Sequence, residues 1–315
     1  MTGAETGEER GEERGIALLA DVGGTNTRVA LLRGGKITAP AAYENDGFSG
    51  LLPLLRAYLS GRPAPARCCI AIAGPVGPGV ARLTNRDWVV APEELAPALG
   101  LPGPQAVTLV NDLTALALAL PDLRADQVAP LRLAAGAAGN GQALVANFGT
   151  GFNVGLLRAT AAGPQAWAAE LGHAGLPAPL AAEAGPSFHT VEHLFSGAGL
   201  ARLHAALGGA ALTPRAVIAG AAAGEAPAGL TVARMGRLMG LFARELVFTY
   251  LPRDGIYIAG SMGRAVLEAS GRQAFLDAFA APGPAATLAA GVPLRIVTDD
   301  AAALGGLACL ARAAQ

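Results

Sequence analysis

The sequence predicts an α/β protein of two domains, and three observations lead there. Strand-like apolar runs alternate along the chain with helix-spaced patterns, as expected of strands joined by helices. The chain has 315 residues, about two domains at ~100–200 residues each. One local plan also occurs twice. Residues 21–32 and 147–157 each hold a strand end, a turn rich in Gly and Thr, and a returning apolar strand. Two such hairpins suggest a duplicated architecture with a cleft between its halves; chance likeness of two Gly-rich turns is the plain alternative.

In chain order, residues 16–20 are the first apolar run, ending in Asp21-Val22-Gly23-Gly24-Thr25-Asn26. Residues 27–32 return as its hairpin partner, and 36–43 supply a third strand. Helical spacing follows over 50–59. Residues 68–73 form a continuous apolar run stopped by Gly74-Pro75, as a buried strand would be. Another run, 106–110, delivers Asn111-Asp112 ahead of a helix beginning near Thr114. The second series opens with strand 143–146, the turn Gly149-Thr150-Gly151 and strand 154–157. The clearest helix is 232–250, with Val232, Met235, Met239, Phe242, Leu246 and Tyr250 on one face. Residues 255–259 read as a strand into Gly260-Ser261-Met262-Gly263, 294–297 as the last strand and 299–312 as the last helix. The Ala- and Gly-rich stretches 133–141 and 220–229 read as loops or weak helices.

Composition removes several function classes. Apolar residues are 52% and charged residues 15%, against roughly 25% charged in an ordinary domain. The formal net charge of −1 gives no basic field for a nucleic-acid or anionic-membrane partner. The longest apolar run, 301–311, falls short of the ~20 residues of a membrane span. Residues 1–15 hold five Glu and two Arg and no apolar segment, which predicts a solvated, disordered tail and no signal peptide. Lys36 is the one lysine, and it is followed by Ile37, so neither a P-loop nor the strand lysine of a protein kinase is present. Nucleotide phosphates would have to be held by backbone amides, hydroxyls, arginine or metal. Cys68, Cys69 and Cys309 form no C-x-x-C, which predicts a cytoplasmic protein without a disulfide framework.

Turns in which Gly and Thr are adjacent suit phosphate, because glycine lets the backbone approach and exposed N–H groups form an anion nest. Asp21, at a strand end, could hold Mg²⁺ through water; a tight hairpin that uses Gly for positive φ is the alternative. Asp112 follows a strand and precedes a helix, which fits either an N-cap or a base that accepts a hydroxyl proton. The four histidines, His173, His189, His193 and His204, fall within 32 residues. Residues 189–193 spell H-x-x-E-H, the inverted zinc-peptidase pattern, so zinc hydrolysis by His189 and His193 is a separate reading that needs a third ligand. Ala259-Gly260-Ser261-Met262-Gly263 is like a nucleophile elbow, but no His follows His204, so the α/β-hydrolase reading fails.

With these segments assembled, the chain resembles the bacterial glucokinase family, the hexokinase-like branch of the actin/ribonuclease-H-like sugar kinases. The matching segments run in order: 21–28 (DVGGTNTR), 73–76 (AGPV), 83–88 (LTNRDW), 111–115 (NDLTA), 149–151 (GTG), 170–173 (ELGH), 192–200 (EHLFSGAGL) and 258–263 (IAGSMG). The resemblance implies two ribonuclease-H-like (actin-like ATPase) domains, a small one of residues 16–111 plus 299–315 and a large one of 112–298, with sugar in the cleft and ATP-Mg²⁺ across it. It implies transfer of the γ-phosphoryl group of ATP to the 6-hydroxyl of D-glucose, giving glucose 6-phosphate for glycolysis. Another hexose or amino-sugar kinase of the same fold is the alternative. Ala20, Asp21, Val22, Gly23, Gly24, Thr25 and Asn26, with Gly149, Thr150 and Gly151, are implied to grip ATP, and Gly260 and Ser261 to lie near adenosine. Asn85, Asn111, Asp112, Glu170, His173 and Glu192 are implied to bind sugar, with Asp112 as the base. The family's Glu-Gly-Gly-His is Glu-Leu-Gly-His here, closer to the ROK sugar kinases, yet their cysteine-rich zinc segment does not follow His173, so no zinc is expected. About 15 residues before the first strand cannot hold a helix-turn-helix, which disfavours a ROK-type repressor. The expected partners are sugar and ATP, with no nucleic acid and no membrane; a homodimer is compatible with this reading.

Overall fold

The computed structural model describes residues 15–134, 138–283 and 285–314. The expected N-terminal tail therefore lies, but for Gly15, outside the described residues. The chain divides into two compact units, Met1–Leu123 joined by Asp300–Gln315, and Arg124–Asp299.

The first unit is built on β1 (Ala17–Val22), β2 (Asn26–Arg33), β3 (Lys36–Glu44), β4 (Arg67–Ile72), a small three-stranded sheet of β5 (Val76–Gly77), β6 (Val80–Arg82) and β7 (Val89–Val90), and β8 (Val107–Asn111). The main sheet has the order β3-β2-β1-β4-β8. Strands β1, β2 and β3 form an antiparallel meander, while β4 and β8 add in parallel. β1 is buried along its whole length because both faces are covered. Leu18, Ala20 and Val22 pack with the helix Leu51–Leu59, and Ala17 and Leu19 pack with the C-terminal helix Ala303–Ala313. Alternate side chains thus enter two cores, which is why the strand reads as an unbroken apolar run.

The helix Asp112–Ala119 lies against Ala303–Ala313, where a Cβ on Gly306 would clash with the Ala115 carbonyl. This helix therefore belongs to the first unit, and the junction falls at Leu123/Arg124 rather than at residues 111/112. At the other end it falls at Asp299/Asp300, one residue from the boundary expected from the sequence.

The second unit contains β9 (Val128–Arg132), β10 (Gln142–Phe148), β11 (Phe152–Thr160), β12 (Gly163–Ala168), β13 (Gly255–Ala259) and β14 (Leu294–Val297), in the sheet order β12-β11-β10-β13-β14-β9. Again a three-stranded antiparallel meander is extended by two parallel strands, and β9 closes the edge antiparallel. The helix expected over 232–250 begins earlier, as Ala226–Tyr250, and Gly236 and Gly240 let the helix Gly271–Phe279 approach its backbone. The stretch 220–229 is split between this helix and Pro214–Ala222. Phe148, Phe152, Phe195 and Phe242 cluster beside the β10–β11 turn, Phe148 meeting Phe152 edge-on and Phe195 stacking on Phe242, each pair with centroids 4.9 Å apart. Among the described residues no single helix is long and apolar enough to cross a membrane.

Candidate active site

In the first unit the site residues expected from the sequence gather at the carboxyl ends of the parallel strands. The register sets Val22 beside Ile72 and Ile72 beside Asn111, so the ends of β1, β4 and β8 lie side by side. Carboxyl ends of parallel strands are where open α/β sheets bind ligands. The turn after β1 is closed by the Gly23 N–H donating to the Asn26 carbonyl at 3.0 Å. Thr25 is exposed at its tip. Ala20 and Val22 are fully buried, so neither side chain faces a ligand; they anchor the turn to the core.

Asp21 is buried opposite Arg28, with the guanidinium 3.6 Å from its carboxylate and 3.7 Å from Asp300. Burial pushes the Asp21 carboxyl up to about 6, and Arg28 opposes that rise. Asn85 is exposed in the loop between β6 and β7, and a Cβ on Gly24 would stand 3.6 Å from its Cβ. The neighbouring Arg86 donates to the Gly24 carbonyl, pairs with Asp46 and lies 5.6 Å over the Trp88 ring.

At the end of β8, Asn111 is the N-cap of the helix Asp112–Ala119, its Oδ1 accepting from the Leu113 N–H at 3.0 Å. The capping role open to Asp112 in the sequence thus falls to its neighbour, because Asn111 is extended and Asp112 already helical. Asp112 Oδ1 also accepts from the Leu113 N–H, at 2.9 Å. Asn111 Nδ2 donates to the Gly74 carbonyl at 3.3 Å, and a side chain on Gly74 would clash with the Arg82 carbonyl.

In the second unit the turn after β10 is closed by the Gly149 N–H on the Gly151 carbonyl at 2.9 Å, and the Gly197 N–H holds the Gly149 carbonyl at 3.0 Å. Glu192 is lodged against it. Its Oε2 accepts from the Phe152 N–H at 3.0 Å, and a Cβ on Gly151 would clash with that same oxygen. Thr150 is exposed. Asn153, opposite Asn147 in the hairpin, donates from Nδ2 to Glu170 Oε2 at 3.1 Å and accepts at Oδ1 from the Leu171 N–H at 3.0 Å. Gly172 packs on the Phe152 carbonyl, while Leu171 packs its side chain against the core, which accounts for Leu in the Glu-Leu-Gly-His segment. His173 is exposed.

Gly260, at φ +88°, sits so close to the Phe148 carbonyl that a Cβ would clash, and so brings Ser261 and the helix Ser261–Glu268 to the end of β10. Gly149, Thr150, Gly151, Glu170, His173, Glu192, Gly260 and Ser261 are thus arrayed around one end of the second sheet.

The H-x-x-E-H pattern resolves differently from a metal site. Glu192 Oε2 faces Phe152 and Gly151, and the His189 and His193 rings stack with centroids 5.8 Å apart. Desolvation, Arg202 and His189 lower the pKa of His193. Among the described residues no group of three or more His, Cys, Asp or Glu side chains could hold a metal ion, so the third ligand that the zinc reading needs is lacking there. His204 is buried on Thr231 at 2.9 Å.

Asn45, Arg86 and Asn153 carry contacts at these turns that sequence reasoning did not find. Asn153 could have been found as the polar member of the repeated hairpin; nothing in the sequence marks Asn45.

The glucokinase family profile matches residues 18–314. The glucokinase of Cupriavidus pinatubonensis is 34% identical over 314 residues, covering 92% of this chain and 90% of the relative. A crystal structure of glucokinase from an Antarctic psychrotroph superposes with a TM-score of 0.79 at 29% identity, over 94% of this chain and 98% of that one. A ROK family glucokinase from Streptomyces griseus, crystallised with glucose and AMPPNP, shares the fold at a TM-score of 0.61 and 19% identity, over 94% and 99% of the two chains.

Proposed function

The chain belongs to the glucokinase family, and on that premise we propose how its residues transfer the γ-phosphoryl group of ATP to the 6-hydroxyl of D-glucose. The observation that carries the reading is Glu192, whose carboxylate touches the Gly-Thr-Gly turn directly. An acid assigned to sugar and a turn assigned to phosphate are then neighbours, as a transfer between the two requires.

In this reading the turns at 23–26 and 149–151 hold the ATP phosphates through backbone N–H groups, and Gly260 and Ser261 meet the adenosine. Asn85, Asn111, Glu170, His173 and Glu192 hold sugar hydroxyls. An epimer that mismatched them would leave one of these polar groups unpaired beside the bound sugar, which discriminates against it. Asp112 accepts the 6-hydroxyl proton as the oxygen attacks phosphorus. Phosphoryl transfer asks little covalent work of a protein, so positioning and charge stabilisation supply most of the rate.

Magnesium accompanies ATP in this reading. Asp21 offers it one buried carboxylate rather than a cage, which suits an ion that keeps several waters and binds one or two carboxylates plus phosphates. With Arg28 at 3.6 Å already on that carboxylate, contact through water fits the site. The three cysteines are unpaired thiols, which suits the reducing cytoplasm in which we place the enzyme.

The test is a coupled assay over a panel of glucose, mannose, galactose, fructose and glucosamine, with ATP, ADP and polyphosphate as donors. Glucose with ATP and Mg²⁺ should give the highest kcat/KM, with glucose 6-phosphate as product. A higher value with another sugar would replace the substrate, and no turnover with any pair would sink the reading.

A further inference from the structure

Asn45 lies just beyond β3, 0% exposed, and attends to three successive carbonyls of the turn after β1. Its Nδ2 donates to the Gly23 carbonyl at 2.8 Å and the Gly24 carbonyl at 3.3 Å, and its backbone N–H donates to the Thr25 carbonyl at 2.8 Å. The amide cannot turn over freely, because Thr27 Oγ1 donates to Asn45 Oδ1 at 2.7 Å and so keeps Nδ2 on the turn. Arg86 brings a second donor to the Gly24 carbonyl.

Every peptide bond among the described residues is trans, and in a trans peptide plane the C=O and the following N–H point in opposite directions. Gathering the carbonyls of Gly23, Gly24 and Thr25 on Asn45 therefore turns the N–H groups of Gly24, Thr25 and Asn26 away from it. Successive N–H groups presented by a turn are what binds an anion. We infer that Asn45 is a positioning residue: it touches no substrate, and by holding these carbonyls it sets the N–H groups of residues 24–26 for the nucleotide phosphates. The inference rests on the proposed reading of this turn as a phosphate site.

The test keeps the two apart. Titrating the wild-type enzyme with Mg²⁺ and AMPPNP, followed by amide NMR, should shift the resonances of Gly24, Thr25 and Asn26; no shift there overturns the phosphate reading and the inference with it. If they shift, Asn45→Ala decides the inference alone. AMPPNP affinity should fall at least tenfold, and KM for ATP should rise with it, while KM for glucose stays within threefold of wild type. AMPPNP affinity within threefold of wild type overturns the positioning role, as does an equal rise in both KM values, which a merely structural role would give. Should Asn45→Ala fail to fold, Thr27→Val carries the test, since it leaves Asn45 in place and frees its amide to rotate. Threefold to tenfold weaker AMPPNP with an unchanged KM for glucose supports the inference, and unchanged AMPPNP affinity overturns it.

Discussion

The two units repeat one strand plan and equip it differently. The sheet β3-β2-β1-β4-β8 of the first corresponds to β12-β11-β10-β13-β14 of the second, and each places a Gly-rich turn after its central strand. Just before the turn, the first hairpin sets Asp21 opposite Arg28; near the end of the second, Asn147 faces Asn153. An ion pair in one stands where the other has two neutral amides. The first turn is held from behind by an amide, Asn45, whereas the second is braced by a carboxylate, Glu192. Shared topology fixes where a turn sits; its neighbours decide what that turn can bind. In the proposed reading, cation and proton chemistry fall to Asp21 and Asp112 of the first unit, and hydroxyl recognition to Glu170 and Glu192 of the second.

The largest effect expected is on Asp112. Asp112→Asn keeps the shape and an acceptor for the Leu113 N–H, and the cap itself is Asn111. The melting temperature should hardly move, while loss of a general base typically costs ~10²–10⁴ in rate. Steady-state kinetics with a thermal melt decide it: kcat within threefold of wild type removes proton chemistry from the first unit. Next comes Glu192→Gln in the second unit. Gln can still accept from the Phe152 N–H but has lost the charge. Hydrogen bonds to a charged group contribute roughly 1.5–3 kcal/mol, so KM for glucose should rise roughly tenfold to a hundredfold. An unchanged KM would leave Glu192 as a brace for its turn and nothing more.

Much of this comparison could be read before the fold was known, and the unread part has a physical cause. Strands β1, β4, β10 and β13 are central and covered on both faces, so they appear as continuous apolar runs closed by Gly. By contrast β12 is a partly exposed edge and β9 carries Pro130, and neither has a pattern to detect. The short helices Ala178–Ala184 and Ala286–Ala290 are Ala-rich without a clear apolar stripe. Glu192 was readable from its segment, but its contact with Gly151 spans about 40 residues of chain and had no local mark. Asn45 shows this most plainly. It is a polar residue after an exposed strand, and only the close approach of β3 to β2 makes it the partner of three turn carbonyls.

The smallest effect tests the ion pair itself. Burial pushes the Asp21 carboxyl of the folded protein up to about 6 from the ordinary 3.8 of an aspartate, against the pull of Arg28. The folded state therefore binds more protons between those two values, and its stability falls as pH rises through about 4 to 6. Above that window the penalty is complete, with a ceiling of about 3 kcal/mol from two pKa units at about 1.4 kcal/mol each. Asp21→Asn removes the penalty but leaves Arg28 with only Asp300, 3.7 Å away. A net gain of about 1 kcal/mol is expected at pH 7.5, shrinking towards zero by pH 4, alongside a raised KM for ATP-Mg²⁺. Such a gain in stability at a loss of function is the usual trade where a site holds a buried charge. Urea midpoints for both proteins at pH 4 and pH 7.5 measure it. In the second unit Asn147→Asp should do the reverse, losing stability at pH 7.5, because the residue opposite is Asn153 and not a cation. If instead Asp21→Asn destabilises at pH 7.5 as much as at pH 4, burial is not what sets the Asp21 carboxyl, and the contrast drawn between the two hairpins fails at its first residue pair.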